Sequence, residues 1–363
     1  MPTKWKAASD LGAWKQTSGE FFADASDKGV QTSEDARFYG MSAKLDSSFT
    51  NKDKTLVLQF SVKHEQDLDC GGAYIKLLHN NPDQDSFGGD TPYSIMFGPD
   101  VCGSSNRKTH VIFNYPPKND NLLIKEEVKC ETDKLSHLYT LVVEPNNTFK
   151  VLIDQKVVRE GAMDTAWEFL LPKEIKDPAV KKPADWVDAK KIADPTDSKP
   201  DGWDDIPATI PDKDATKPDD WDDGEDGEWE PPMVDNPAYK GEWKPKMIDN
   251  PDYKGEWKHP KIPNPAYVED KNLHARCTDC THVGFELWQV KSGTIFDDII
   301  VTDSLDEANE AAADWLKRVG PEKEKFDAAE AERMEAQAAA RKEAEAASKE
   351  ESEEGEESDH SEL

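Results

Sequence analysis

The sequence predicts a mainly β protein: an antiparallel sandwich or barrel, interrupted by an extended proline-rich arm and followed by an acidic helix. Three observations carry this reading. Short runs rich in β-branched and aromatic residues, separated by turn clusters, recur from Lys4 to about Leu171 and resume from Val283 to Val301. Fifteen of the 24 prolines fall in the 94 residues from Ile175 to Val268, which excludes helices and central sheet strands there, because proline lacks the amide donor and fixes φ. The C-terminal stretch is rich in alanine and glutamate, a helix-forming composition.

The first strands are Leu56–Val62, His110–Tyr115, Tyr139–Val143 and Thr148–Ile153, punctuated by Asn80-Asn81-Pro82-Asp83, Pro116-Pro117-Lys118-Asn119-Asp120 and Pro145-Asn146-Asn147. No helical pattern intervenes, as in a sandwich or barrel. Asn146-Asn147-Thr148 is a glycosylation sequon of a kind frequent by chance. The arm then shows two kinds of repeat. Three copies of the first place an isoleucine eleven residues before a tryptophan: Ile175 to Trp186, Ile192 to Trp203 and Ile210 to Trp221. Three copies of the second recur every fourteen residues, from Gly227-Glu228-Trp229, Gly241-Glu242-Trp243 and Gly255-Glu256-Trp257 to Tyr239, Tyr253 and Tyr267. Such an order lets the arm double back, the first copy facing the sixth and the third facing the fourth, with a turn in Asp222–Gly227 and facing Trp and Tyr rings between the legs. A disordered acidic linker would account for the composition but not for the regular recurrence of Trp and Tyr.

Two strands cannot fold alone, so Val283–Val290 and Thr294–Val301 are expected to complete the sheets of the first part. The chain therefore divides into 1–172 and 271–302, one sandwich, with the arm at 173–270 inserted and an acidic helix and tail at 303–363. Ser304-Leu305-Asp306-Glu307 offers a capping box for a helix through Trp315-Leu316, which Gly320-Pro321 is expected to interrupt before it continues to about Ser348.

Charge and composition narrow the function. Only 36% of the 363 residues are hydrophobic, and 76 acidic against 45 basic side chains give a formal charge of −31. Phosphate backbones are repelled, which disfavours nucleic acid as a partner; hard divalent cations such as calcium, which take oxygen ligands, are suited. No apolar run approaches the roughly 20 residues that cross a bilayer. Met1-Pro2-Thr3-Lys4-Trp5 holds no apolar signal core, as in a cytosolic protein or a trimmed sequence. His360-Ser361-Glu362-Leu363, by contrast, stands one substitution from an HDEL-type retrieval signal of the endoplasmic reticulum.

The repeats, the order of parts and two long motifs together resemble the calreticulin/calnexin family. The motifs are Lys63-His64-Glu65-Gln66-Asp67-Leu68-Asp69-Cys70-Gly71-Gly72-Ala73-Tyr74-Ile75-Lys76-Leu77-Leu78 and Ile95-Met96-Phe97-Gly98-Pro99-Asp100-Val101-Cys102-Gly103. Three copies of each repeat and the absent membrane span are those of the soluble branch. The resemblance implies a legume-lectin-like (concanavalin-like) antiparallel sandwich in a calcium-binding lectin chaperone of the endoplasmic reticulum lumen. It implies as partners monoglucosylated high-mannose N-glycans on unfolded glycoproteins. Tyr74, Lys76, Tyr93 and Asp100 match glycan-contacting positions, with Met96 as an apolar floor. Glu286 stands in Glu286-Leu287-Trp288 where the family has aspartate, and Trp288 completes that triplet. These residues also suit a sugar on their own chemistry, since hydroxyls need fixed polar groups and the C–H face an aromatic or thioether surface; without the motifs they read as half-buried sheet residues and exposed charges.

Further expectations follow from the resemblance. Cys70 and Cys102 form a disulfide beside the sugar site, and Cys130 is a buried free thiol. Cys277 and Cys280 lie outside the family pattern and are read as a local disulfide or two inert thiols, with metal or redox roles as weaker readings. Asp297, with the carbonyls of Ser26 and Lys28, matches one ordered calcium site. A further family ligand lies upstream of the first strand, before this sequence starts, so the site is expected to be incomplete. Loosely placed tail carboxylates suit low-affinity calcium storage. Asp226, Glu228 and Trp229 match positions that dock a protein disulfide isomerase-type oxidoreductase, with stacking inside the arm as the plain alternative for Trp229. No enzyme is expected: a glycoside hydrolase would need two carboxylates at catalytic separation, and no closely spaced pair alternates along one predicted strand. A calcium-storage protein whose sandwich has lost lectin activity is the other rival.

Overall fold

The computed structural model describes residues 1–218, 221 and 227–359, with side chains to residue 345. Two units result, one of Met1–Leu171 with Ala266–Leu363 and one of Pro172–Pro265. In the first, twelve strands precede the arm: β1 Trp14–Thr17, β2 Gly29–Thr32, β3 Arg37–Phe49, β4 Leu56–His64, β5 Cys70–Gly72, β6 Ile75–His79, β7 Ile95–Cys102, β8 Asn106–Tyr115, β9 Asp120–Leu123, β10 Ser136–Val143, β11 Thr148–Ile153 and β12 Lys156–Ala162. A single helical turn, α1 Met163–Ala166, follows. The arm carries β13 Glu174–Lys176, β14 Lys191–Ala193, β15 Thr209–Pro211, β16 Met233–Asp235, β17 Met247–Asp249 and β18 Lys261–Pro263. Then come β19 Cys280–Gln289, β20 Thr294–Thr302 and α2 Leu305–Asp359.

The strands form an antiparallel sandwich. One sheet runs β1-β2-β20-β4-β10-β11-β12; the other runs β3-β19-β5-β7-β8-β9, with β6 continuing the line of β5 between β19 and β7. Strand alternation builds the core between them. Leu56, Leu58, Phe60 and Val62 of β4, with Tyr139, Leu141 and Val143 of β10, meet Ile75, Leu77, Ile95, Phe97, Val111, Phe113, Phe285 and Leu287 from the opposite sheet. The other face of β4 is covered as well, since Val57 packs with Val142 and Ala308, and Gln59 donates to the Ala308 carbonyl at 3.2 Å. Every residue of β4 is buried, although beyond Val57 its sequence alternates Leu58, Phe60 and Val62 with Gln59, Ser61 and Lys63.

The helix departs from expectation. Ser304 caps it by accepting the Glu307 amide at 3.2 Å, but α2 is continuous through Gly320-Pro321. Contacts on both sides of the proline override its missing donor. Before it, Ala312 and Trp315 bury against Leu138, and the Trp315 indole donates to Ser136 Oγ at 3.0 Å. After it, Glu322 accepts the Ser136 amide at 2.8 Å, and Phe326 meets Phe21 edge-on at 5.2 Å. Among the described residues, no helix is long and apolar enough to cross a membrane.

In the arm the legs pair first with sixth, second with fifth and third with fourth, with Ile175, Ile192 and Ile210 opposite Ile262, Ile248 and Val234. Ring stacking is not the main tie between the legs. Trp186 meets Trp257 at 5.1 Å, but the tryptophan contact that recurs in all three repeat pairs is an indole N–H donated across the legs. Trp186, Trp203 and Trp221 donate to the carbonyls of Gly255, Gly241 and Gly227, each at 2.9 Å. Those glycines have φ of +85°, +78° and +86°, a conformation that turns the carbonyl toward the indole and that other residues adopt only with strain. Asn236, Asn250 and Asn264 donate side-chain amides to the carbonyls of Pro207, Ala189 and Pro172 across the legs. Tyr239 and Tyr253 remain exposed. The expected turn at Asp222–Gly227 falls largely outside the described residues, as do Asp226 and His360–Leu363.

Two outcomes follow. Gly241→Ala meets no steric obstacle but strains φ, and should weaken its repeat by about 1 kcal/mol; hydrogen exchange at Ile192 and Ile248 should accelerate while the sandwich melts unchanged. His137 is hydrogen-bonded at 2.8 Å by each ring nitrogen, to Asp154 and to Asp133. Burial alone would lower its pKa, but the two carboxylates raise it to about 10. A raised folded pKa stabilises fully below the free imidazole value near 6.5 and is lost as pH rises toward 10. The stability deficit of His137→Gln should therefore be largest near pH 6 and shrink by pH 10 in denaturant titrations.

Candidate functional site

Pleat and register place the predicted polar residues together. Lys76 of β6 lies opposite Met96 of β7 on one side and Gly284 of β19 on the other. Glu286 and Trp288 follow Gly284 at intervals of two, and Asp100 follows Met96 at four, so all share the face turned away from the core. Tyr74 sits in the gap between β5 and β6. A Cβ on Gly72 would come within 2.4 Å of the Tyr74 ring, and one on Gly98, whose φ is +129°, within 2.9 Å of the Tyr74 backbone. Glycine at both positions lets the chain pass beneath that tyrosine.

The centre of the face is an ion pair. Lys76 Nζ donates to Glu286 Oε2 at 2.7 Å, with only 4% and 13% of the two side chains exposed. Nζ also lies 5.1 Å from the centre of the Tyr93 ring. Burial, and then the Glu286 charge, hold the Tyr93 hydroxyl above its usual range; burial with Glu286 and Asp100 does the same for Tyr74. Both tyrosines stay neutral and able to donate. Burial alone would raise the Asp100 carboxyl, but His110 and Asn106 outweigh it and hold it below the ordinary value. Asn106 donates to Asp100 at 3.0 Å, and His110 Nε2 lies 3.3 Å away. The His110 ring meets Tyr74 edge-on at 5.8 Å.

Trp288 lies at the margin, 38% exposed, with its ring 4.6 Å from that of Phe38. His110, Asn106 and Phe38 were not singled out in the sequence. Alternation along β8 puts His110 on the site face, but only the β7–β8 register brings it to Asp100. A disulfide joins Cys70 to Cys102, directly opposite one another in the β5–β7 pair. A second joins Cys277 to Cys280, both fully buried, and selects the local-disulfide reading. Cys130 is free, and burial pushes its thiol up to about 11.

The Calreticulin family model matches residues 4–226 and 224–301. The chain is 58% identical to calreticulin of Chlamydomonas reinhardtii over 90% of its own length and 78% of the relative's, and 58% identical to that of Euglena gracilis over 91% and 82%. The solved globular domain of T. cruzi calreticulin superposes with a TM-score of 0.59 at 32% identity, over 87% of this chain and 92% of that one. The chain belongs to the calreticulin family. It is thus a calcium-binding lectin chaperone on a lectin-like β-sandwich.

Asp297, the carboxylate expected to take calcium, lies in β20. Asp297 precedes a bulge at which the register with β4 shifts before Ile300 and Asp298 takes φ of +53°. Burial first, and then the charges of Asp298 and Asp27, raise the Asp297 carboxyl. A Cβ on Gly29 would fall 3.2 Å from the Asp297 Cβ, so the segment that carries Ser26 and Lys28 runs beside it. A desolvated carboxylate close to the Gly29 backbone fits a hard, oxygen-seeking cation. No group of three or more His, Cys, Asp or Glu side chains among the described residues is disposed as a cage, so main-chain oxygens would complete the set. When bound, calcium would neutralise the crowded carboxylates. In the arm, Glu228 is exposed and Trp229 half-buried; Asp226 lies outside the described residues.

Removing Lys76 strands a buried carboxylate. Lys76→Met should cost about 3–5 kcal/mol in urea unfolding, and adding Glu286→Leu should recover most of it. Equal loss in the single and double variants would show that the pair is not coupled.

Proposed function

We propose that the outer face centred on Lys76 and Glu286 binds monoglucosylated high-mannose N-glycans on unfolded glycoproteins in the endoplasmic reticulum lumen. The observation that carries this reading is the alternation of fixed donors and acceptors with apolar surface: Lys76, Tyr74 and Tyr93 as donors, Glu286 and Asp100 as acceptors, and Met96 beneath them. Glu286, longer by a methylene than the family's aspartate, keeps one oxygen on Lys76 and offers the other to a hydroxyl. Trp288 and Phe38 give an aromatic ledge for a sugar C–H face.

Binding is favoured over hydrolysis by the charge states. A glycosidase needs a carboxyl raised toward neutral pH as its acid. Asp100 is instead held below its ordinary value, and Glu286 accepts a hydrogen bond from Lys76, so both serve as acceptors. In the same reading Glu228 and Trp229, with Asp226, dock a disulfide isomerase-type oxidoreductase, Asp297 with the Ser26 and Lys28 carbonyls holds one calcium ion, and the tail stores more. From Pro321 to Leu363 there are sixteen acidic and six basic residues, whose mutual repulsion divalent ions would relieve.

Calorimetry with a monoglucosylated oligosaccharide tests the site. Asp100→Ala should lower affinity by about 2 kcal/mol, roughly thirtyfold, while the melting temperature stays nearly constant. Undiminished binding would exclude Asp100 from the site, and release of free glucose would favour a hydrolase.

A further inference from the structure

One cavity of the sandwich is lined by Asp27, Asp297 and Asp298 on one side and by Trp315, Arg318, Val319 and Glu322 of α2 on the other. Arg318 forms ion pairs with Asp27 and, at 2.6 Å, with Asp298 Oδ1. The other oxygen of Asp298 accepts the Ser61 hydroxyl at 2.8 Å. These positions bracket the proposed calcium ligands: Asp27 lies between Ser26 and Lys28, and Asp298 follows Asp297. A guanidinium keeps its charge at any physiological pH and holds two carboxylates at once. The helix thus delivers a permanent positive charge to the loop that would take the metal ion.

We infer that Arg318 is a resident counter-cation of the calcium loop, so that divalent-ion binding at Asp297 and docking of the 314–322 segment of α2 oppose one another. Two cations drawn to one group of carboxylates repel, and each lowers the other's affinity by the same factor. The opposition is local, because Ala308 and Ala312, before the segment, keep their own packing against the sandwich. Calcium should therefore loosen the turn around Arg318 without releasing the helix. The inference rests on the reading of Asp297 as a calcium ligand.

Terbium, a luminescent substitute for calcium, tests it in the full chain. Trp315 lines the cavity, beyond Phe326 the sequence holds no Trp, Tyr or Phe, and the arm's tryptophans stand among aspartates, so the tail is silent and the emission read for the loop is what remains after subtracting that of a Trp315→Phe variant. Arg318→Gln should lower the half-saturating terbium concentration roughly 5- to 50-fold. Arg318→Lys, which keeps the charge, should stay close to the unsubstituted protein. Calcium should displace the emission and accelerate hydrogen exchange across 314–322 in the unsubstituted chain. Unchanged or weaker binding by Arg318→Gln, or unchanged or slower exchange, overturns the opposition. Asp297→Asn separates the two ideas: if it leaves the emission intact, the calcium-ligand reading fails and the inference falls with it. If it abolishes the emission while Arg318→Gln changes nothing, only the inference fails.

Discussion

Both sheets are held at their interiors by strands that arrive last. β20 lies between β2 and β4, and β19 between β3 and the β5/β6 line. Without them each sheet would split, with unpaired edges facing apolar side chains. The sandwich is therefore not complete until the chain has passed through the arm and returned. The ladder nearest the arm's ends joins Glu174 to Pro263, so the arm leaves and returns at one place. Doubling back is a requirement of strand pairing as much as a property of the repeats.

The same strands deliver the chemistry. β19 carries Glu286 to Lys76 of β6, and β20 carries Asp297 to the segment before β2. In both places a carboxylate is drawn out of water, with opposite solutions. Glu286 is paired at 2.7 Å with a lysine still more withdrawn from solvent, and the pair gives the outer face a rigid, polar centre. Asp297 accepts only the neighbouring Asp298 amide among its described hydrogen bonds, and its carboxyl is raised. One carboxylate is paired directly, while at the other Arg318 pairs with the neighbouring Asp27 and Asp298 and not with Asp297 itself, which suits a sugar and a metal ion respectively.

The helix links these regions by packing. A proline six residues beyond Trp315 would end most helices, yet α2 continues because the faces before and after it are both anchored to β10 and the N-terminal loops. Propensity is a matter of a few kcal/mol at most; the buried alanine and indole before the proline, and the Glu322 and Phe326 contacts after it, outweigh it.

Much of this was legible in the residues. Short runs rich in β-branched and aromatic residues, and the proline-rich repeats with Ile, Trp and Gly at fixed offsets, pointed to an antiparallel sandwich or barrel and to an arm folded first copy to sixth, because these depend on local spacing; the grouping of Tyr74, Lys76, Met96 and Asp100 came from the family resemblance that the two cysteine motifs carry. Contacts between distant segments were not legible. That Lys76 meets Glu286, that His110 and Asn106 steady Asp100, that tryptophan N–H groups rather than stacked rings tie the arm, and that Arg318 reaches Asp27 and Asp298 were decided only by tertiary structure. Each depends on which strands become neighbours and in what register, and burial between sheets sets that, not any pattern along a single segment.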